Sequence, residues 1–204
     1  MVVVLGGPEA GYAPDDEPAV RAADFTVTGE GEIAFRDLCA AILAGHPPPG
    51  RRIRAPRPDI ARLALPYDLY TDDDIANRTL YVEATRGCPF RCEYCISSLD
   101  PGVRHVQKDR FLAAMDRLLD RGALRFKFVD RSFNAIGGRA LEILDFFLAR
   151  MRPGLLLHFE IVPDRLSEPM LERFARFPAG SLHLELGIQS LHAPVNRRDR
   201  KSVV

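Results

Sequence analysis

The alternation of apolar and amphipathic segments is most regular in the second half of the chain. From residue 79 onward, short apolar runs and amphipathic stretches recur with a period of roughly 30 to 40 residues, which is typical of βα units in a parallel sheet. The pattern predicts strands over 80–84, 124–129, 155–161 and 182–188. It predicts helices over 110–120, 139–151 and 168–177. This part of the chain is therefore expected to be an α/β domain.

Within the predicted strands, apolar and polar residues alternate. Leu157 and Phe159, for example, flank His158 in the third strand. If helices cover the apolar face, the polar side chains all point to the other face of the sheet. These residues are Glu83, Lys127, His158, Glu160, His183 and Glu185. Because parallel strands are seldom left uncovered, we expect a wet or ligand-filled lumen there, with a solvent-exposed sheet face as the alternative.

The first part of the chain has a weaker pattern. It predicts a strand over 2–5, an apolar stretch over 25–27 and a helix over 33–44. One face of this helix carries Phe35, Leu38, Cys39 and Ile42, so Cys39 is expected to be a core residue. A segment rich in proline and arginine follows, and we predict a linker over 47–78 between domains at 1–46 and 79–204.

Composition indicates a soluble, cytoplasmic protein. Hydrophobic residues make up 47% of the chain, and 28 basic residues balance 28 acidic ones. This balance gives no electrostatic case for a nucleic-acid partner. No apolar run approaches the roughly 20 residues that span a bilayer, and the N-terminus lacks the pattern of a signal peptide.

Three of the four cysteines, Cys88, Cys92 and Cys95, lie within eight residues. Three thiolates can hold an iron-sulfur cube that has one iron open to a ligand, since a full set would be four. A zinc site is an alternative, with His105 as the nearby fourth ligand. A redox dithiol at Cys92 and Cys95 is another. A disulfide framework is disfavoured by the low cysteine content.

The spacing of these cysteines, with Tyr94 just before the third, resembles the radical S-adenosylmethionine (SAM) enzymes. The resemblance implies a partial parallel (β/α) barrel and a [4Fe-4S] cluster on Cys88, Cys92 and Cys95. It also implies reductive cleavage of SAM to a 5′-deoxyadenosyl radical, with electrons from an external donor of the flavodoxin or ferredoxin type. The first strand leads into the cysteine loop, as it does in that family.

The same resemblance implies which other residues bind SAM. They lie near the cysteines or at the carboxyl ends of the predicted strands, where barrel enzymes carry their active sites: Tyr94, Asp130, Arg131, Glu160 and Gln189. Alternatives from the sequence alone are a turn or helix-capping role for Asp130 and an ion pair between Glu160 and His158. Arg131 is equally suited to neutralising a carboxylate.

Residues 1–46 resemble the C-terminal part of the Rossmann-like cobalamin-binding domain that precedes the barrel in one radical SAM group. The candidate contacts are glycines at strand ends and one acid: Gly6, Gly7, Gly29, Glu30 and Gly31. With cobalamin, methyl transfer to an unknown substrate is implied. A methylthiotransferase is disfavoured because no second cysteine trio precedes the barrel.

The length of both parts indicates a fragment truncated at both ends. Residues 1–46 are too few for a complete doubly wound domain, and a basic tail over 196–204 follows the fourth predicted strand. The remaining alternative to an enzyme is a non-catalytic metal-binding module or an inactive fragment.

Overall fold

The computed structural model describes residues 1–99 and 102–195. The chain divides into two compact units, one over residues 1–63 and one that begins at residue 64. The predicted basic tail over 196–204 lies outside the described residues.

The first unit is built on a parallel sheet in the order β1-β2-β3. Its strands are β1 (Val4–Leu5), β2 (Phe25–Thr28) and β3 (Arg52–Arg54). Its helices are α1 (Gly7–Tyr12), α2 (Pro18–Ala22) and α3 (Glu32–Leu43). Proline occupies one of the first two positions of both α1 and α2, where the missing N–H has no helical partner to lose.

Helices α1 and α2 were not predicted from the sequence, and two further features of this unit differ from the expectation. Strand β3 lies within the expected linker over 47–78 and pairs with β2, with Ile53 opposite Val27. A strand of three residues, two of them arginines, has too short an apolar pattern to be recognised in the sequence. On α3, Leu38 is buried as expected, but Cys39 is only half-buried and Phe35 is 49% exposed.

The second unit opens with a 3₁₀ turn over Pro66–Leu69 and with α4 (Asp72–Asn77), both also inside the expected linker. A capping box starts α4: Thr71 Oγ1 accepts from the Asp74 N–H, and the Asp74 carboxylate accepts from the Thr71 N–H. The further elements are β4 (Leu80–Val82), β5 (Thr85–Cys88), β6 (Gly102–His105), α5 (Lys108–Asp120), β7 (Arg125–Phe128), α6 (Gly137–Leu148), β8 (Leu156–Ile161), α7 (Glu168–Arg176) and β9 (Leu182–Leu186).

A parallel sheet in the order β4-β7-β8-β9 is the framework of this unit. The four predicted strands and three predicted helices are all present within the described residues, with shorter strands than predicted. The alternation of burial is also present in β8, where Leu157, Phe159 and Ile161 are buried and the residues between them are half-buried. The observed α/β fold with parallel sheets thus matches the predicted class.

Helices α5, α6 and α7 precede β7, β8 and β9 in the chain, and each contributes buried residues to the core. Helix α5 buries residues at helical spacing, namely Phe111, Ala114, Met115, Leu118 and Leu119. It ends at Asp120, and Gly122, two residues later, has a φ of 97°, the left-handed conformation that glycine adopts after a helix. Within the described residues, no helix combines the length and the apolar character needed to cross a bilayer.

Candidate functional site

The three clustered cysteines are carried by a β-hairpin that the sequence did not predict. Strand β5 pairs antiparallel with β6, with Thr85 opposite His105 and Cys88 opposite Gly102. Cys88 is the last residue of β5, and the other two cysteines lie in the connecting loop. Neither strand alternates apolar and polar residues, so only their pairing reveals them. The hairpin follows the end of β4 directly.

The three clustered cysteines supply the thiol donors that iron-sulfur clusters use, but in the part of the chain that the structure describes they are not gathered into a metal-binding group. Cys92 is buried, while Cys88 and Cys95 are half-buried, and no disulfide joins any of the four cysteines. The Cys95 N–H donates to the Cys92 carbonyl at 3.2 Å, which closes a tight turn between the two. Among the described residues, no group of three or more His, Cys, Asp or Glu side chains is placed so that it could hold a metal ion. Tyr94 is 59% exposed.

Asp130 lies just after β7 and binds the start of the cysteine hairpin. It is completely buried. One carboxylate oxygen accepts from the Thr85 hydroxyl at 2.5 Å, and the other accepts from the Ala84 N–H at 3.0 Å. Burial raises the pKa of Asp130 to about 7, although these hydrogen bonds lower it. The structure therefore shows this carboxylate turned towards the protein, with both oxygens engaged.

The junction between β4 and β5 has two further contacts. Tyr67 accepts from the Glu83 N–H at 2.8 Å and donates to the Glu83 carbonyl at 3.3 Å. The Glu83 carboxylate forms a bidentate ion pair with Arg86, at 2.7 and 2.8 Å. Sequence reasoning did not identify Tyr67 or Thr85 as site residues, because each acts on residues far from it in the sequence or through the backbone.

The loop over 130–134 also binds the end of β8. The Asn134 amide donates to the Val162 carbonyl at 2.8 Å, and its oxygen accepts from the Val162 N–H at 2.7 Å. The Phe133 N–H donates to the Glu160 carbonyl at 3.0 Å. The loop therefore bridges the carboxyl ends of β4 and β8, and Arg131 is the exposed residue within it.

The cysteine loop also reaches towards the end of β8. The guanidinium of Arg165 lies 5.9 Å from the ring centroid of Phe90, over its face. The structure thus brings together the cysteine loop, the loop over 130–134 and the end of β8. Gln189 follows β9 and is exposed.

The polar face of the sheet carries a connected row of side chains. Lys127, His158 and His183 occupy one register across β7, β8 and β9. The two imidazoles stack with centroids 4.2 Å apart. Glu185 contacts His158 Nε2 at 3.1 Å and Lys127 Nζ at 3.5 Å.

The partner of His158 is therefore Glu185 on the neighbouring strand, and not Glu160 as the sequence alternative proposed. Residues two apart on one strand are about 6.8 Å apart, whereas neighbouring strands are about 4.8 Å apart. Burial would raise the pKa of Glu185, but the hydrogen bond from His158 and the charge of Lys127 lower it below its usual value. The face is partly open, since the Lys127 side chain is 26% exposed.

The glycines predicted to contact a cofactor converge in the first unit. Gly6, Gly7, Gly29 and Gly31 line a cavity of about 220 Å³ together with Val4, Leu5, Val27 and Phe35. A Cβ on Gly29 would lie 3.2 Å from the Ala55 carbonyl oxygen, and Gly29 has a φ of 85°. Any larger residue there would be strained. The absence of a side chain at Gly29 thus lets the chain after β2 pass close to Ala55 beside this cavity.

Comparison with known proteins identifies methyltransferases as relatives. No protein-family model matches the chain. An uncharacterized methyltransferase of Pyrococcus horikoshii is 30% identical over 170 residues, which is 70% of this chain and 36% of that protein. An uncharacterized methyltransferase of Synechocystis is 35% identical over 137 residues, which is 65% of this chain and 25% of that protein. The chain thus spans about a third or less of these relatives.

The solved structures of TsrM, a radical S-adenosylmethionine methyltransferase from Kitasatospora setae, resemble the chain in three dimensions. One has tryptophan substrate and a SAM analog bound, and matches with a TM-score of 0.67 over 95% of this chain and 42% of TsrM. The other has cobalamin and a [4Fe-4S] cluster bound, and matches with a TM-score of 0.65 over the same shares. Identity to both is 16%. The chain therefore has the α/β fold of the corresponding part of TsrM.

Proposed function

We propose that the chain is part of a radical SAM methyltransferase whose parallel sheet is a partial (β/α) barrel. In this proposal Cys88, Cys92 and Cys95 hold a [4Fe-4S] cluster. The cluster would supply the electron that cleaves SAM reductively. It would receive this electron from an external donor of the flavodoxin or ferredoxin type.

The observation that carries the proposal is the position of the three cysteines on the fold. They lie on one hairpin that starts where the first strand of the parallel sheet ends. In parallel α/β sheets, ligands bind at the carboxyl ends of the strands. Sequence similarity to methyltransferases and the fold of TsrM, which binds such a cluster, support the same assignment.

The residues around this end of the sheet suggest how SAM is held. Arg131 is exposed at the centre of the loop after β7, and its guanidinium suits the carboxylate of the methionine moiety. Glu160 and Gln189, at or after the ends of β8 and β9, suit its amino and hydroxyl groups. Tyr94 adds an exposed aromatic ring beside the third cysteine.

The glycine-lined cavity of the first unit is the proposed contact site for cobalamin. Gly6, Gly7, Gly29 and Gly31 let the backbone approach a ligand closely, and Phe35 presents an aromatic ring beside them. Cobalamin bound there would serve as the methyl carrier. Glu30 follows Gly29 in the chain but is not among the residues that line this cavity, so its predicted contact with cobalamin stays part of the proposal.

The first experiment is anaerobic reconstitution with iron and sulfide, followed by iron counting and electron paramagnetic resonance with and without SAM. The proposal expects about four irons per chain and a reduced spectrum that SAM perturbs. Cys88→Ala, Cys92→Ala and Cys95→Ala are expected to lose the cluster. Cys39→Ala is the matched control, since Cys39 lies on α3 in the other unit.

Stoichiometric zinc in the purified protein would instead indicate a structural metal module. A protein without metal but with a reversible Cys92 to Cys95 disulfide would indicate a redox dithiol. Either result would exclude the radical SAM proposal for this chain.

A further inference from the structure

The short segment that precedes Cys88 is held by side chains from elsewhere in the second unit. Tyr67 binds both backbone polar groups of Glu83, and the Ala84 carbonyl accepts from the Val106 N–H at 3.0 Å. Asp130 binds the Ala84 N–H and the Thr85 hydroxyl. This segment therefore has a defined position before the chain enters the cysteine loop.

Of these contacts, the one made by Asp130 is the most strongly buried. Asp130 has no exposed surface, and Thr85 is 5% exposed. The bond from the Thr85 hydroxyl to the Asp130 carboxyl group is 2.5 Å long, at the short end of the range for hydrogen bonds between oxygens. A buried carboxylate is also costly unless its oxygens are satisfied, so the contact and the local fold depend on each other.

We propose that Asp130 and Thr85 are positioning residues for the cysteine loop: the Asp130 carboxylate fastens the start of β5 to the end of β7 and thereby sets where Cys88 begins the loop. In this proposal Asp130, which has no exposed surface, acts through the hairpin, in place of the direct contact with SAM that the family resemblance implied. The inference rests on the proposed function, because it assigns the hairpin the task of presenting three thiolates.

The same loop contains a matched control. Asn134 is 1% exposed and makes two hydrogen bonds to the backbone of Val162, just as Asp130 makes two to Ala84 and Thr85. Removing the polar group of either side chain breaks buried hydrogen bonds made by this loop. Of these two residues, Asp130 contacts the hairpin that carries the cysteines and Asn134 does not. A substitution that loosens this hairpin therefore distinguishes the role of Asp130 from that of Asn134.

The experiment compares Asp130→Asn, Thr85→Val, Thr85→Ser and Asn134→Ala with the unchanged protein. Amide hydrogen exchange of the metal-free protein is measured over the peptides that contain residues 84–99 and 130–136. The rate at which Cys88 and Cys95 react with an alkylating reagent is measured on the same samples. Iron content after anaerobic reconstitution is the third measurement.

We expect Asp130→Asn and Thr85→Val to speed hydrogen exchange and thiol alkylation in the hairpin by about tenfold, the effect of losing about 1.4 kcal/mol locally. Both are expected to retain less iron after reconstitution. Thr85→Ser keeps the hydroxyl and should restore the rates of the unchanged protein. Asn134→Ala should speed exchange in the loop over 130–136 and leave the hairpin unchanged.

Unaltered hairpin exchange in folded Asp130→Asn and Thr85→Val would overturn the inference. So would Thr85→Ser behaving like Thr85→Val, or Asn134→Ala loosening the hairpin equally. The exchange and alkylation measurements need no cluster, so they test the contact even if the unchanged protein binds no iron. Failure of the proposed function would appear as absent iron in every sample, with the hairpin effect intact.

Discussion

The hydroxyl of Tyr70 hydrogen-bonds to both backbone polar groups of Tyr81, accepting from the N–H at 3.0 Å and donating to the carbonyl at 2.9 Å. Tyr67 makes the same pair of contacts with Glu83. Strand β4 pairs with β7 on its other side and is one of the two edge strands of this sheet. Two phenol groups thus occupy the backbone sites that an additional strand would use.

Replacing either tyrosine by phenylalanine is expected to lower the free energy of unfolding by about 1–3 kcal/mol, because one N–H and one carbonyl lose their partner. Tyr67→Phe should cost more than Tyr70→Phe, since Tyr67 is 4% exposed. Urea denaturation measures both. Tyr12→Phe is the control, because Tyr12 is 62% exposed, and equal stability of all three variants would contradict the expectation.

The stability of the protein should depend on pH through Asp130. Burial raises its pKa to about 7 in the folded chain, whereas it is 3.8 in an unfolded one. Between these values the folded state holds the proton and the unfolded state does not, so stability falls as pH rises from about 4 to about 7. Asp130→Asn should remove this fall, as measured by thermal unfolding at a series of pH values.

Two neighbouring groups could contribute to the same pH profile and need controls. The charge of Glu83 adds to the raised pKa of Asp130, and burial raises the pKa of Tyr67 above its usual range. Tyr67 titrates well above the window of interest. Glu83→Gln should therefore shift the fall in stability to lower pH but retain it. If the fall disappeared in Glu83→Gln, Glu83 and not Asp130 would be its cause.

The aromatic core beneath the loop over 130–134 should be essential for folding. Phe159 has no exposed surface, and its ring lies 4.1 Å from that of Phe133 and 4.5 Å from that of Phe128. Phe159→Ala is expected to cost about 3–5 kcal/mol, the usual result of a large cavity. Guanidinium denaturation of Leu171→Ala, at a position 44% exposed on α7, gives the comparison and should show a small change.

If Glu160 and Gln189 contact SAM, their substitution should weaken binding without affecting the cluster. Glu160→Gln and Gln189→Ala are each expected to lower SAM affinity about tenfold, equivalent to about 1.4 kcal/mol. Anaerobic calorimetry on the reconstituted protein measures this, alongside iron content. Glu172→Gln on the exposed side of α7 should bind as the unchanged protein does. A loss of iron in the first two variants would show a structural role instead.

The elements with a long apolar period of their own are among those that the sequence predicted. Strand β8 alternates over six residues and α5 repeats over 13, so each carries enough pattern to be recognised alone. Strands β3, β5 and β6 have three or four residues and are defined by their partners. The cysteines were recognisable by spacing, whereas the contacts of Thr85 and Asn134 join residues 45 and 28 positions apart and have no local signal.

The loop over 130–134 contains four buried residues and one exposed residue. Asp130, Ser132, Phe133 and Asn134 are buried, whereas Arg131 is exposed between them. The side chains of Asp130 and Asn134 bind backbone at neighbouring strand ends, whereas a change at Arg131 leaves those contacts in place. Position 131 is therefore the place in this loop where an exposed side chain can be replaced at little cost to folding.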